Sequence, residues 1–181
     1  PMMAPPIIIG TIWRLMFNPE YGIINNLIKK IGISQPPLWL ANPDYALGSV
    51  MITDVWQWTP FVFLLILAGL QSLPQEPYES AALDGATTLQ TFRYITLPLM
   101  SQTIFLTLMF RTVNAFKMFD KMYVLTSGGP GNVTEIISLY MYKVAFSFGR
   151  IGYAAFIAIF VVTLMLLFII TFRFIIRRVS I

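Results

Sequence analysis

The sequence predicts an all-α membrane protein, a helical bundle with about three complete transmembrane helices and one partial helix. Of its 181 residues, 57% are hydrophobic and 11% are charged, whereas soluble domains carry about 25% charged residues. The mean hydropathy is +0.73, and the run from Ile151 to Phe172 contains no charged residue. Because a spanning helix needs about 20 mainly apolar residues, we expect a lipid bilayer around this chain.

Four apolar segments account for the predicted bundle, which would be one transmembrane domain over residues 1–181. The predicted spans are residues 1–17 (partial), 45–70, 99–125 and 151–176. The last span ends in a basic segment that begins at Arg173. The first is too short to cross a membrane, so we expect it to be the end of a spanning helix that begins before this sequence. A short buried or interfacial helix is the alternative.

The composition excludes several kinds of site. The chain contains no Cys and no His, so thiolate metal sites and the commonest general base are absent. Its 12 Lys and Arg residues are scattered along the chain, and this does not favour nucleic acid binding. We therefore predict no catalytic residue, no metal site and no enzymatic activity.

The polar connection over residues 71–98 has the pattern of two short helices at the membrane surface. Pro77 suits a first helical turn, and the acidic Glu76 and Glu79 favour a helix N-terminus. Gly85 is a natural stop for this helix. A second short helix can begin at Thr87 or Thr88 and run to Tyr94, before Pro98 opens the next span. Another connection contains the turn sequence from Ser127 to Asn132.

The distribution of basic residues gives an ambiguous orientation. The side of the membrane that holds the connections 18–44 and 126–150 carries more basic residues than the side that holds 71–98 and the C-terminus. The first set is Arg14, Lys29, Lys30, Lys121, Lys143 and Arg150, with Lys117 near the border, and the second set is Arg93, Arg173, Arg177 and Arg178. Since basic residues favour the cytoplasmic side, this count places the C-terminus outside.

The connection also resembles the EAA loop of binding-protein-dependent ABC importer permeases. That family pattern is Glu-Ala-Ala, three residues, Gly, nine residues and Ile-x-Leu-Pro. Here it reads Glu79-Ser80-Ala81, then Gly85, then Ile95-Thr96-Leu97-Pro98, with Ser80 as the single departure. The resemblance extends over the whole chain and is closest to the carbohydrate branch, including the MalF-like Gly128-Gly129-Pro130 turn. Its other supporting segments are Trp13, Phe17–Pro19, Gly22–Asn25, Trp56–Phe61, Asp84–Ala86 and Phe119–Ser127.

The resemblance implies a multi-pass permease subunit in the cell inner (cytoplasmic) membrane. Its EAA coupling loop and C-terminus would be cytoplasmic, contrary to the basic-residue count. The implied partners are ATP-binding cassette ATPase subunits, a second permease subunit, an extracytoplasmic solute-binding protein and the bilayer. ATP would be bound by the separate ATPase subunit, and this chain needs no cofactor. The implied activity is import of a sugar or oligosaccharide by alternating access.

The resemblance also assigns roles to individual residues. In the coupling loop, Glu79 would contact the ATPase through a polar or ionic interaction, and Ser80 and Ala81 would pack in its cleft. Asp84 belongs to the same loop, and Gly85 would form the turn between its two helices.

The solute path is expected on the span 99–125 and on the outer half of the preceding span. The candidate residues are Arg111, Asn114, Ala115, Met118 and Trp58. Ionisable residues inside a membrane usually face a cavity or pair internally, so Arg111 pairing with a carboxylate elsewhere is the alternative. For Trp58, the alternative to a role in the solute path is a position in the aromatic belt at the membrane interface. Lys117 and Asp120, three residues apart, are expected to form a structural pair.

Two other functions remain compatible with the sequence. One is an ABC permease for a phosphorylated polyol, in which Arg111 would bind the anion. The other is a membrane assembly subunit that conducts no solute, for which substitutions along the path would be silent.

Overall fold

A computed structural model describes the backbone of residues 1–33 and 35–179 and the side chains of these residues through 172. Throughout this described part the secondary structure is helical, with no β-strand. The α-helices are α1 (Pro6–Met16), α2 (Ile23–Lys30), α3 (Pro43–Gln71), α4 (Glu76–Leu83), α5 (Thr88–Thr91), α6 (Leu97–Phe116), α7 (Asp120–Leu125), α8 (Ile137–Tyr142) and α9 (Ile151–Val179). Two single π-helical turns, π1 (Phe92–Thr96) and π2 (Lys143–Ser147), lead out of α5 and α8.

Two helices within the described residues are long and apolar enough to cross a membrane: Pro43–Gln71 and Ile151–Phe172. The 20-residue α6 is not among them, because Ser, Thr, Gln and Arg residues interrupt its apolar sequence. The predicted number of complete spans therefore stays a prediction. The side chains of the basic segment that begins at Arg173 lie outside those described.

The backbone divides into two compact units. Unit 1 comprises residues 1–60 and 115–160, and unit 2 comprises residues 61–114 and 161–181. In unit 1, α1 packs against α7. Its core consists of Ile9, Trp13, Phe17, Val50, Met122, Leu125 and Leu139.

Gly10 permits the close packing of α1 on α7. A Cβ atom at this position would lie 3.3 Å from Val124 Cβ and 3.5 Å from the Lys121 Cα atom. The contact is extended by Arg14, whose Nη1 donates a hydrogen bond of 3.1 Å to the Val124 carbonyl. The apolar segment at the start of the chain is therefore an 11-residue helix with its own packing surface.

The prediction of one helix over residues 99–125 is wrong. The helix breaks at residues 117–119, and α7 begins at Asp120. The carbonyl of Met118, freed by the break, accepts a hydrogen bond from Ser138 Oγ at 3.3 Å. No Pro or Gly marks this break in the sequence; contacts from distant segments stabilise it.

The predicted pair of Lys117 with Asp120 is also wrong, because the break removes the continuous helix on which it depended. Instead, Lys121 Nζ donates to Asp54 Oδ1 of α3 at 2.5 Å. The Lys121 side chain is only 3% exposed and that of Asp54 is 17% exposed. A buried ion pair thus joins α7 to α3 inside unit 1.

Unit 2 contains the connection between α3 and α6 together with the segments that follow and precede it. Gly69 of α3 lies against α6, where an added Cβ would be 2.7 Å from Thr103 Cγ2 and 3.0 Å from Met100 Cε. Ring contacts link Phe61 to Phe110 at 4.7 Å between centroids. These contacts hold the two helices that enter and leave the connection.

Candidate functional site

The connection between α3 and α6 folds as two short helices, as predicted. Helix α4 carries Glu76 and Glu79 in its first turn and a Pro at its start. These are the residues that stabilise a helix N-terminus, through favourable charge and a preset backbone angle. The local sequence is thus sufficient to place this helix.

Helix α4 ends in a Schellman motif centred on Gly85. The Gly85 amide donates to the Ala82 carbonyl at 3.2 Å, and the Ala86 amide donates to the Ala81 carbonyl at 2.9 Å. Gly85 has φ +71°, a left-handed conformation that glycine adopts without a steric penalty. Gly85 thus forms the turn between α4 and α5, and its role in coupling to an ATPase stays a prediction.

Helix α5 begins with a capping box. The Gln90 side chain accepts a hydrogen bond of 2.8 Å from the Thr87 amide, and the Gln90 amide donates to Thr87 Oγ1 at 3.4 Å. This reciprocal arrangement satisfies amides that a helix N-terminus otherwise leaves unpaired. The second helix is shorter than predicted, because a π-helical turn replaces the α-helix from Phe92 onward.

The coupling-loop residues predicted from the sequence do not all face the same way. Glu79, Ser80, Asp84 and Gly85 are exposed. Ala81, in contrast, is 8% exposed. The expectation that Ala81 packs in a partner's cleft is therefore corrected: its methyl group packs inside this chain, because it lies on the inward face of α4.

Sequence reasoning missed three residues of this connection. Leu83 and Leu89 are 90% and 76% exposed, on either side of the Gly85 turn. Tyr78 lies on the inward face with Ala81, and its hydroxyl donates to Thr96 Oγ1 at 3.0 Å. The spacing of three residues between Tyr78 and Ala81 was the available signal, since such residues share a helix face.

The outward surface of the connection combines polar and apolar groups. A carboxylate at Glu79 and a hydroxyl at Ser80 lie on the helix that ends with the exposed Leu83. Large apolar side chains left in water favour contact with another surface. The arrangement suits docking to a protein partner better than it suits acid–base catalysis.

The predicted solute-path residues are distributed over both units. Arg111 and Asn114 lie on the part of α6 within unit 2, and both are partly buried. Asn114 Nδ2 donates to the Phe110 carbonyl at 2.8 Å. In unit 1, Trp58 is partly buried, Ala115 is exposed and Met118 packs against the core. A path formed by these five residues remains a prediction.

Unit 1 has a cavity of about 290 Å³ beside the segment that follows α1. Phe17 and Trp39 form its aromatic walls, and Arg14 and Asn18 line it with polar groups. Trp39 is oriented by a hydrogen bond of 2.6 Å from its Nε1 to Asn25 Oδ1. Asn25 is 2% exposed, so this aromatic wall is firmly supported.

The whole sequence matches one protein family. The profile of the binding-protein-dependent transport system inner membrane component matches residues 1–181. The chain belongs to this family. It is therefore an inner membrane component of the class that the EAA loop indicated.

Curated relatives of this chain include sugar transport components. The trehalose/maltose transport system permease protein MalF of Thermococcus litoralis is 42% identical over 172 residues, which are 95% of this chain and 58% of the relative. The sulfoquinovosyl glycerol transport system permease protein SmoG of Agrobacterium fabrum is 36% identical over 159 residues, 88% of this chain and 51% of the relative. The chain thus spans a little over half the length of these relatives.

A solved structure has the same fold. The bacterial alginate ABC transporter, crystallised in complex with an alginate pentasaccharide-bound periplasmic protein, contains a chain that superposes with a TM-score of 0.86. The sequences are 25% identical, and the match covers 99% of this chain and 62% of the alginate transporter chain. The all-helical fold class predicted from the sequence is confirmed.

Proposed function

We propose that this chain supplies part of the transmembrane pathway of an ATP-driven importer for a sugar or oligosaccharide. The observation that carries the proposal is the α4–α5 connection, with its outward Glu79 and Ser80 and its Schellman turn at Gly85. Such an exposed surface suits docking to a partner, and its residues follow the spacing of the EAA loop. The names of the sugar-transporting relatives support the solute class.

The docking partner would be an ATP-binding cassette ATPase subunit, which binds the ATP in place of this chain. Glu79 and Ser80 would supply polar contacts, while Leu83 and Leu89 would enter an apolar part of the partner's cleft. Ala81 would support this surface from inside. ATP shifts the transporter toward one conformation only to the extent that ATP binds that conformation more tightly than the other. For this shift to reach the spanning helices, the ATPase must stay docked to α4 and α5 while those helices rearrange.

This function requires a defined orientation. The connection between α3 and α6, and the C-terminus, would lie in the cytoplasm. The segments 18–44 and 126–150 would then lie on the opposite side, together with the cavity beside Trp39. There they would meet an extracytoplasmic solute-binding protein, while a second permease subunit would complete the pathway.

Solute would pass by alternating access along a path that includes Arg111 and Asn114. These residues lie three apart on α6 and therefore share a face. The other predicted path residues, Ala115, Met118 and Trp58, would continue the path. A polar, partly buried stripe on a spanning helix favours a hydrated path over a lipid contact.

A second candidate solute is a phosphorylated polyol, because the planar guanidinium group of an arginine such as Arg111 suits phosphate binding. Competition in an uptake assay distinguishes a neutral sugar or oligosaccharide from a phosphorylated polyol as the solute. Neutral oligosaccharides should reduce uptake if the proposed solute class is right, and phosphate esters should reduce it if the alternative is right.

We expect Gly85→Asp to abolish uptake by the complete transporter in proteoliposomes while leaving membrane insertion intact. Any side chain at φ +71° costs about 1–2 kcal/mol, and the added carboxylate would lie within the docking surface. The readouts are solute uptake, ATP hydrolysis and recovery of the ATPase with the tagged permease.

Gly149→Asp is the matched control. Gly149 has φ +67°, and at both positions an added Cβ meets no heavy atom within 4 Å. The two variants therefore carry the same backbone strain and the same added charge. Recovery of the ATPase is the readout for this comparison, because Gly149 lies in the segment 126–150 that is proposed to meet the binding protein. Equal loss of ATPase recovery in both variants, or normal uptake with Gly85→Asp, contradicts the docking model.

A further inference from the structure

Helix α4 is connected to α6 by more than the covalent chain. The Tyr78 hydroxyl donates to Thr96 Oγ1 at 3.0 Å, across a sequence separation of 18 residues. Thr96 is the last residue of π1, directly before α6 begins at Leu97. Both side chains are partly buried, so water competes less strongly for this bond than it does on an open surface.

Thr96 extends this contact into the second short helix. Its hydroxyl donates to the Thr91 carbonyl at 3.5 Å, while Thr91 Oγ1 donates to the Thr87 carbonyl at 3.1 Å. A threonine hydroxyl can donate one hydrogen bond and accept others, so Thr96 can accept from Tyr78 and donate to the Thr91 carbonyl at the same time. The result is a continuous series of bonds from α4 through π1 to the capping box of α5.

The covalent route from α4 to α6, by comparison, contains two irregular points. It passes through Gly85, around which an added Cβ would meet no heavy atom within 4 Å. It then passes through π1, in which the Leu97 amide bonds to the Phe92 carbonyl five residues back. Such irregular turns often occur at functional positions. A displacement of α4 would be absorbed at these two points unless another contact transmitted it.

We propose that the Tyr78–Thr96 hydrogen bond transmits the displacement of α4 directly to the start of α6, bypassing the Gly85 turn. This inference rests on the proposed function, in which an ATPase moves α4. Tyr78 and Thr96 are then positioning residues for the transport step. They act on the start of a spanning helix and touch neither ATP nor solute.

The test measures coupling in the complete transporter, with its ATPase, its partner permease and its binding protein in proteoliposomes. Uptake and ATP hydrolysis are recorded on the same preparation of Tyr78→Phe. We expect ATP hydrolysis and complex yield to be retained. Solute transported per ATP should fall about 2- to 10-fold, the range that corresponds to one net hydrogen bond.

Variants at Thr96 identify the bond as the cause. Thr96→Val should reproduce the fall in coupling ratio, and the double variant with Tyr78→Phe should be no worse than either single variant. Thr96→Ser keeps a hydroxyl and should restore the ratio. Tyr94→Phe is the control for loss of a tyrosine hydroxyl, since Tyr94 is 71% exposed; its ratio should be unchanged.

Three results overturn the inference. The first is an unchanged ratio in Tyr78→Phe, and the second is additive losses in the double variant. The third is a parallel loss of complex yield, ATP hydrolysis and uptake at constant ratio, which would assign the bond a purely structural role. A wild-type complex that imports no solute is a different failure, because it overturns the proposed function and this inference with it.

Discussion

At the scale of single residues, the ion pair of Lys121 with Asp54 is the contact least accessible to sequence reasoning. Its partners are 67 positions apart, and the sequence offered Asp120 as a nearer partner for a lysine. Burial decides the matter: an ammonium group that is 3% exposed needs a charged partner within reach, because an isolated buried charge is very costly.

We expect Lys121→Met to destabilise the protein strongly. Removing one member of a buried ion pair typically costs about 3–5 kcal/mol, and Lys121→Met removes the buried ammonium group that bonds to Asp54. The measurement is the thermal unfolding midpoint of the purified transporter in detergent.

Lys143→Met provides the comparison. Lys143 bonds to Glu135 at the same distance of 2.5 Å, but its side chain is 29% exposed. Solvent screening should reduce this loss to about 1 kcal/mol. A larger shift for Lys143→Met than for Lys121→Met would contradict the importance of burial.

At the scale of elements, the packing of α3 on α6 depends on a missing side chain. Gly69 is buried, and Thr103 and Met100 occupy the space that a Cβ would need. Small residues allow such close approach of helices in membranes. The glycine itself carried no signal in the sequence, since isolated glycines occur in many helices.

We expect Gly69→Leu to lower stability by about 1–3 kcal/mol, the usual cost of overpacking. Gly48→Leu is the matched control in the same helix, where an added Cβ meets no heavy atom within 4 Å. The yield and thermal stability of the two variants in detergent check this. Equal stability would show that the α3–α6 approach is not as close as described.

At the scale of the whole molecule, the surface left uncovered indicates what surrounds it. The most apolar 18-residue windows of Pro43–Gln71 and Ile151–Phe172 are only 17% and 6% buried. Apolar surface of this extent suits lipid and further protein. Orientation is the property on which the basic-residue count and the EAA loop disagree.

Single-cysteine labelling should resolve the orientation, because these 181 residues contain no Cys that would compete with the introduced thiol. A membrane-impermeant thiol reagent added to intact cells should label Val133→Cys and spare Thr88→Cys. Permeabilised cells should show labelling at both exposed positions. The reverse pattern in intact cells would place α4 and α5 outside and would exclude docking to a cytoplasmic ATPase.

The sequence by itself determined the features that depend on local chemistry. Apolar runs of sufficient length indicated the membrane class, and Pro77, Gly85 and Thr87 marked the two short helices. The EAA spacing identified the family, because the motif consists of several residue types at fixed positions along one loop. These signals act over a few residues, where backbone preferences and capping decide the outcome.

Only the tertiary structure decided the break after α6, the inward position of Ala81 and the bond between Tyr78 and Thr96. Each depends on residues that meet from distant parts of a loop or from different helices. A buried charge, a helix face and a hydrogen bond acquire their partners through packing, which local sequence preferences do not encode.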